Sequence, residues 1–159
     1  RNIVDSDGNT PIHIAVEKKV SAQKLDTLIK MGYPVSQRNG KGGTPLNMAI
    51  TNGQKRLALT LIERGADPFA ATITGDNALT NAFKNGNVEI LDAICKYNAR
   101  KTDTAGDSIL HYAARLANDV QVRHLLELGL DRTAKNLSGE TPSKMAARWN
   151  RPAIAELLK

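Results

Sequence analysis

The strongest constraint on how this 159-residue chain folds is a period close to 33 residues. Gly8-Asn9-Thr10-Pro11-Ile12-His13-Ile14-Ala15 returns as Gly42-Gly43-Thr44-Pro45-Leu46-Asn47-Met48-Ala49 and as Gly75-Asp76-Asn77-Ala78-Leu79-Thr80-Asn81-Ala82. It comes back as Gly106-Asp107-Ser108-Ile109-Leu110-His111-Tyr112-Ala113 and as Gly139-Glu140-Thr141-Pro142-Ser143-Lys144-Met145-Ala146. The glycines are spaced by 34, 33, 31 and 33 residues. A chain with such a period builds one small unit repeatedly and buries a core between neighbouring copies.

Each recurring slot has a physical meaning. Glycine two residues ahead of a helix supplies the positive φ of a tight turn. Thr10, Thr44, Asn77, Ser108 and Thr141 are N-cap residue types, and Pro11, Pro45 and Pro142 stand at the first helical position, where a missing N–H costs nothing. The alanine five residues after each cap lets a neighbouring helix come close. A second apolar stripe follows in each unit: Leu25, Leu28, Ile29; Leu57, Leu61, Ile62; Ile90, Ile94, Cys95; Val122, Leu125, Leu126; Ile154, Leu157, Leu158. Its three- and four-residue steps predict a second helix with one buried side. Asn52-Gly53 and Asn85-Gly86 mark turns between the helices. Gly32, Gly65, Asn98 and Gly129 are residue types that end a helix in the left-handed conformation.

Gly-x-Thr-Pro-Ile-His-Ile-Ala followed by Leu-Ile-Lys-Met-Gly, together with Leu-Ile-Glu-Arg-Gly-Ala-Asp-Pro, resembles the ankyrin repeat, and the resemblance runs over residues 4 to 159. It implies an all-α solenoid of five repeats, about 4–37, 38–70, 71–101, 102–134 and 135–159, forming a single domain. The units are helix-turn-helix pairs in an elongated, curved stack, joined by β-hairpin-like fingers on one edge. The chain starts without Met and ends at its last apolar stripe, so it reads as a fragment of a longer protein.

Several departures stand out. The third unit has Asn77-Ala78 for Thr-Pro and Tyr97-Asn98-Ala99-Arg100 in place of the Gly-Ala-Asp loop. From Asn98 to Gly106 there are 8 residues where the other junctions have 10, which predicts a shortened or irregular finger and a break in the binding rim. The first unit carries one extra residue near Val20-Ser21, and the last is read as one residue shorter, with Pro152 opening its second helix.

Chemistry is hard to place on this chain. His13 and His111 fill one slot of the repeat, 98 residues apart, and cannot share a metal; the resemblance implies that they hydrogen-bond around the Thr-Pro corner. His124 has no ligand cluster at metal spacing. Cys95 replaces a core aliphatic residue and is read as a small buried hydrophobe. As the only cysteine it forms no internal bridge, which favours a reducing, cytoplasmic compartment. Gly40-Lys41-Gly42-Gly43-Thr44 lacks the spacing of a phosphate loop, and Asn136-Leu137-Ser138 is a glycosylation sequon by pattern only. No stretch has the apolar length of a membrane span, and Arg1-Asn2-Ile3-Val4-Asp5 lacks a signal-peptide pattern. No catalytic set and no cofactor or metal site is expected.

The expected function is binding of another protein or peptide, with the chain acting as a monomeric scaffold. The resemblance places contacts on finger residues Arg38, Lys41, Ile73, Lys135 and Leu137 and on the exposed ends of the first helices, Lys84, Arg115, Arg148 and Trp149. Ser6, Asp7, Thr74, Thr104, Glu17, Lys18, Thr51, Asn52, Asn85 and Leu116 occupy the same kinds of slot. Lys84, Arg115 and Arg148 are equivalent and predict a basic row suited to an acidic partner. Asp76, Asp107 and Glu140 form an acidic row near helix N-termini, a favoured place for negative charge. About 12 Å of helix between the rows argues against pairing within a repeat. Trp149, the sole tryptophan, is of the type that anchors interfaces; the alternative is packing against whatever followed Lys159. The net charge of +6 and pI near 9.6 keep nucleic acid or another polyanion as a rival class, although the fourth unit is net acidic. A spacer or regulatory role in a larger protein is the remaining alternative.

Overall fold

In a computed structural model of the chain, residues 3 to 159 are described; Arg1 and Asn2, the start of the segment read above for a signal peptide, lie outside them. Ten helices follow in pairs: α1 (Pro11–Glu17) and α2 (Ala22–Lys30), α3 (Pro45–Thr51) and α4 (Lys55–Glu63), α5 (Ala78–Asn85) and α6 (Val88–Asn98), α7 (Ile109–Leu116) and α8 (Asp119–Glu127), α9 (Pro142–Arg148) and α10 (Pro152–Leu157). The described residues contain no strand.

All five expected caps form. The side chains of Thr10, Thr44, Asn77, Ser108 and Thr141 each accept the backbone N–H three residues on, a contribution of about 1 kcal/mol per helix start. Gly8, Gly42, Gly75, Gly106 and Gly139 hold φ between 76° and 87°, as the turn before each cap requires. The recurring alanines, Ala15, Ala49, Ala82, Ala113 and Ala146, are buried in every copy. They face along an inner row in which α1, α3, α5, α7 and α9 pack in succession. Leu25, Leu61, Ile62, Ile94, Val122, Leu125 and Leu158 seal the layer behind it.

The outer row is not continuous. α2 packs on α4, α4 on α6 and α8 on α10, but no comparable packing joins α6 to α8. These two helices meet through His124 Nε2 and Asp92 Oδ1 at 2.5 Å, so His124 has a carboxylate partner from the neighbouring repeat. Beside them opens a cleft of about 530 Å³, bordered by Cys95, Ala99, Leu110, Leu128 and Leu130. Cys95 is buried as expected, and burial together with Asp92 pushes its thiol up to about 12, which leaves it inert as a nucleophile.

Two expectations need correction. Asn98 does not cap a helix in the left-handed region: α6 runs through it for 11 residues, against 9 in α2, α4 and α8, and Ala99 at φ −52° stays right-handed. Without a glycine there the helix simply continues, and only 8 residues lead from its end to Gly106, against 12 from the ends of α2, α4 and α8 to their glycines. The last repeat is not shorter between its helices. Arg151 caps α10 ten residues after Thr141, as Gln54, Asn87 and Asn118 do after their own caps; what shrinks is α10 itself, at 6 residues. The fingers are the expected hairpin-like turns, without strands among the described residues. In each, the tip residue (Asp5, Asn39, Thr72, Asp103, Asn136) donates its N–H to the carbonyl four residues on and accepts from the glycine N–H three residues on.

Candidate partner-binding face

Two of the four junctions carry one hydrogen-bond pattern. The Thr10 N–H donates to His13 Nδ1 (3.0 Å), so the proton sits on Nε2, which donates to the Gly43 carbonyl of the next repeat (2.9 Å). His111 does the same, accepting from the Ser108 N–H (3.1 Å) and donating to the Glu140 carbonyl (2.8 Å). The implied histidine corner is therefore present, and it also links repeats. At the same junctions the fingers join: the Gly40 N–H donates to the Asp7 carbonyl and the Leu137 N–H to the Ala105 carbonyl. Asn39 Nδ2 donates to Asn9 Oδ1 (2.9 Å) and Asn136 Nδ2 to Asp107 Oδ1 (2.8 Å). The sequon amide of Asn136 is thus engaged and 9 % exposed.

The third repeat is attached differently. Where repeats one and four have histidine, Asn47 and Thr80 stand; Asn81 Nδ2 donates to Asn47 Oδ1 (2.5 Å), while Thr80 bonds only within its own repeat, to Asn77 and Asp76. The slots that pair Asn with Asn or Asp elsewhere hold Asp103 and Asp76 here, two side chains without the amide N–H that bridges the fingers at the other junctions. Their tie is Tyr112, whose hydroxyl donates to Asp103 Oδ2 (2.7 Å) and accepts from Asn77 Nδ2 (3.1 Å), with its ring against Phe69 at 5.6 Å. Burial and the adjacent Asp103 raise the Tyr112 phenol above its usual value. The expected break in the rim is real. A Cβ on Gly8, Gly42 or Gly106 would strike the following finger within 3.0 Å, whereas Gly75 has nothing within 4 Å. The turn at 103 to 107 is regular; the neighbour is missing.

Every finger and inner-helix residue expected to contact a partner is exposed, except Arg115, which is half-buried. Ile73 and Leu137 are each 80 % exposed and Trp149 is 50 % exposed. The two charge rows, expected to stay apart, join within repeats. Lys84 Nζ lies 3.1 Å from Asp76 Oδ1, and Arg148 grips Glu140 through Nε (2.7 Å) and Nη2 (3.0 Å). Helical side chains lean toward the N-terminus, so a long base at the end of a two-turn helix reaches back to an acid just before its cap. Arg148 holds the Glu140 carboxyl below the usual carboxylate value. These pairs run from the exposed side of the inner helix to the base of the finger and make the two one continuous face.

Arg115 breaks the pattern. Asp107, its counterpart, is buried and taken by Asn136. Among the described residues Arg115 has no carboxylate partner; its guanidinium lies 4.8 Å from the Tyr112 ring centroid and 5.6 Å from that of Trp149. Arg38, Lys41 and Lys135 remain exposed on the fingers and are not drawn into this cluster.

The sequence reading passed over Tyr112 and Arg151. Arg151 donates to the carbonyls of Ala113 (3.2 Å), Ala114 (2.8 Å) and Ala117 at the end of α7. Tyrosine in a slot otherwise held by Ile14, Met48, Asn81 and Met145 was the available signal for Tyr112. Nothing marked Arg151, since a base ahead of a helix has no repeat-specific meaning. Among the described residues no group of three or more His, Cys, Asp or Glu could hold a metal, and no helix is long and apolar enough to cross a membrane.

Comparison with known proteins points one way. A family model described as ankyrin repeats (3 copies) matches residues 1–72 and 79–159. The B-cell lymphoma 3 protein homolog of Mus musculus is 30% identical over 149 residues, which are 90% of this chain and 33% of that protein, so the chain spans about a third of this relative. A chain from the structure of a predatory endopeptidase of Bdellovibrio bacteriovorus in complex with an immunity protein aligns over 99% of this chain and 83% of its own, with TM-score 0.68 and 25% identity. The crystal structure of EF0377, an ankyrin repeat protein, aligns over 98% and 82%, with TM-score 0.65 and 24% identity.

Proposed function

We propose, because the chain belongs to the ankyrin repeat family, that it is a protein-binding module whose partner lies across the inner helices and fingers of repeats two to five. Folds of this kind serve as scaffolds for protein contacts, and that much holds for the family. The observation that carries the choice of face is the exposure of Ile73, Leu137, Leu116 and Trp149 along the surface that the Lys84–Asp76 and Arg148–Glu140 pairs make continuous. Large apolar groups left outside a completed core, with charges around them, are the usual composition of a binding patch. One solved neighbour comes from an enzyme–immunity protein complex, which agrees with a role in protein assembly.

The rival polyanion reading loses ground on the same face. Two of the three bases of the row are already matched by acids of their own repeats, so a phosphate backbone would meet alternating charge there. The expected basic row is therefore a single free cation flanked by two ion pairs, with Arg38, Lys41 and Lys135 apart from it on the fingers.

The reading is tested by selecting displayed short peptides on the intact chain and comparing two variants. Changing Ile73, Leu137 and Trp149 together to Asp, Asp and Ala is expected to weaken the selected peptides at least tenfold, of the order of one or two lost anchors. Val120→Asp, at a 69 % exposed position on the outer helix α8, is expected to leave them unchanged. Equal loss in both variants, or loss in the second alone, assigns the wrong face.

A further inference from the structure

We infer that Arg115 is the anchor of this face for a side-chain carboxylate of the partner, an Asp or Glu set beside an apolar residue that rests on Trp149. The inference rests on the reading of the face above and specifies its chemistry. The three equivalent bases have three different fates. Lys84 and Arg148 spend their charge on Asp76 and Glu140. Arg115 is held by rings, 4.8 Å from Tyr112 and 5.6 Å from Trp149, which fix a guanidinium in place without neutralising it. Its Nε is buried and has no hydrogen-bond partner, and it is the only one of its nitrogens so enclosed. The terminal nitrogens are not enclosed in this way and carry no hydrogen bond among the described residues.

A positioned guanidinium with two free terminal N–H₂ groups matches a carboxylate in plane and in charge. The ordering cost is already met by Tyr112 and the indole, so the ion pair forms on a prearranged group. Trp149, 50 % exposed, and Leu116, 37 % exposed, supply apolar surface next to it. Lys84 and Arg148, the equivalent bases of the adjacent repeats, are each matched by an acid of their own repeat, which leaves Arg115 as the one unmatched base of the row. One unmatched positive charge balances a single carboxylate and leaves a phosphate dianion with a charge uncompensated.

The experiment uses peptides from the same display selection, with affinities measured by calorimetry and, for peptides without Trp, the emission of Trp149, the chain's only tryptophan, as a second readout in chains that keep it. Selected peptides are expected to carry Asp or Glu next to Leu, Phe or Trp and to shift the emission. Replacing that acid by Asn or Gln in the peptide, and separately Arg115→Gln in the protein, should each weaken binding by about tenfold to a hundredfold, the usual effect of losing a charge-assisted hydrogen-bonded pair. Combining both changes should cost little more than either alone. The peptide change keeps the test valid even if Arg115→Gln disturbs folding.

Peptides that bind the face, lose affinity in the Ile73/Leu137/Trp149 variant and yet contain no required acid would overturn the carboxylate assignment while leaving the binding face intact. A phosphoserine in place of the acid that binds more than tenfold tighter would overturn it as well. A library from which nothing is enriched over a scrambled control removes both the face and the anchor.

Discussion

The first and last junctions of the stack differ from the third in what their residues can donate. At repeats 1–2 and 4–5, a histidine reaches a carbonyl of the next repeat and an asparagine at the finger tip donates to the finger before it. At repeats 3–4 the histidine slot holds Thr80 and the finger slots hold two aspartates, Asp76 and Asp103. The turn and cap geometry are the same throughout. A shared unit thus fixes local structure, while the strength of each joint depends on a few polar side chains that local structure does not need.

Tyr112 is what closes the weak joint, and removing it is the change of largest expected effect. Tyr112→Ala should cost about 3–5 kcal/mol, the range for truncating a buried aromatic, and should let repeats 4 and 5 open separately from repeats 1 to 3. Urea denaturation followed by hydrogen exchange checks this. A single transition shifted by less than about 1 kcal/mol would mean that the inner helices alone carry the joint. Tyr112→Phe keeps the ring packing but strands Asp103 and Asn77, and about 1–3 kcal/mol is expected.

The comparison sharpens if the gap is filled. Ala99 borders the cleft between α6 and α8, and Ala99→Leu adds apolar volume where the outer row is open. A gain of about 0.5–2 kcal/mol is expected, as for other cavity-filling changes. A loss in thermal melts would show that the cleft walls are already in their preferred places and cannot accept the side chain.

The smallest effect is a slope. Burial lowers the His13 pKa below its usual 6.5, opposed in part by the Gly43 carbonyl and by Asp5. The folded state therefore binds fewer protons at this site than the unfolded one, and its stabilising contribution, complete at neutral pH, is lost as pH falls below about 6.5. His13→Asn, which copies the Asn47 of the second repeat, should flatten the decline in melting temperature between pH 7 and pH 5. Parallel curves for the two proteins would assign the acid sensitivity to other groups.

Much of this molecule is legible residue by residue. The glycine, cap and proline slots name five helix starts and five turns because capping and positive φ are local demands, met within a few residues, and the apolar stripes name the five second helices. The alanine slots identify the inner row for the same reason that any small residue at a helix contact does. The candidate face was legible as a set of slots and misread as a set of charges. Lys84, Arg115 and Arg148 are alike in sequence, and helix rise alone separated them from the acids. The partners decided otherwise, through the backward lean of long side chains and through the diversion of Asp107 to Asn136.

The sequence by itself determined the repeat, its register, the caps and the buried stripes, since each depends on contacts within one unit or on the period between units. The short junction after Asn98 also placed the break in the rim; only the tertiary structure decided what joins the repeats there and which cation of the row stays free. Both follow from which side chain of one repeat finds a donor, an acceptor or a ring on the next, a matter of distance between layers that no spacing along the chain records.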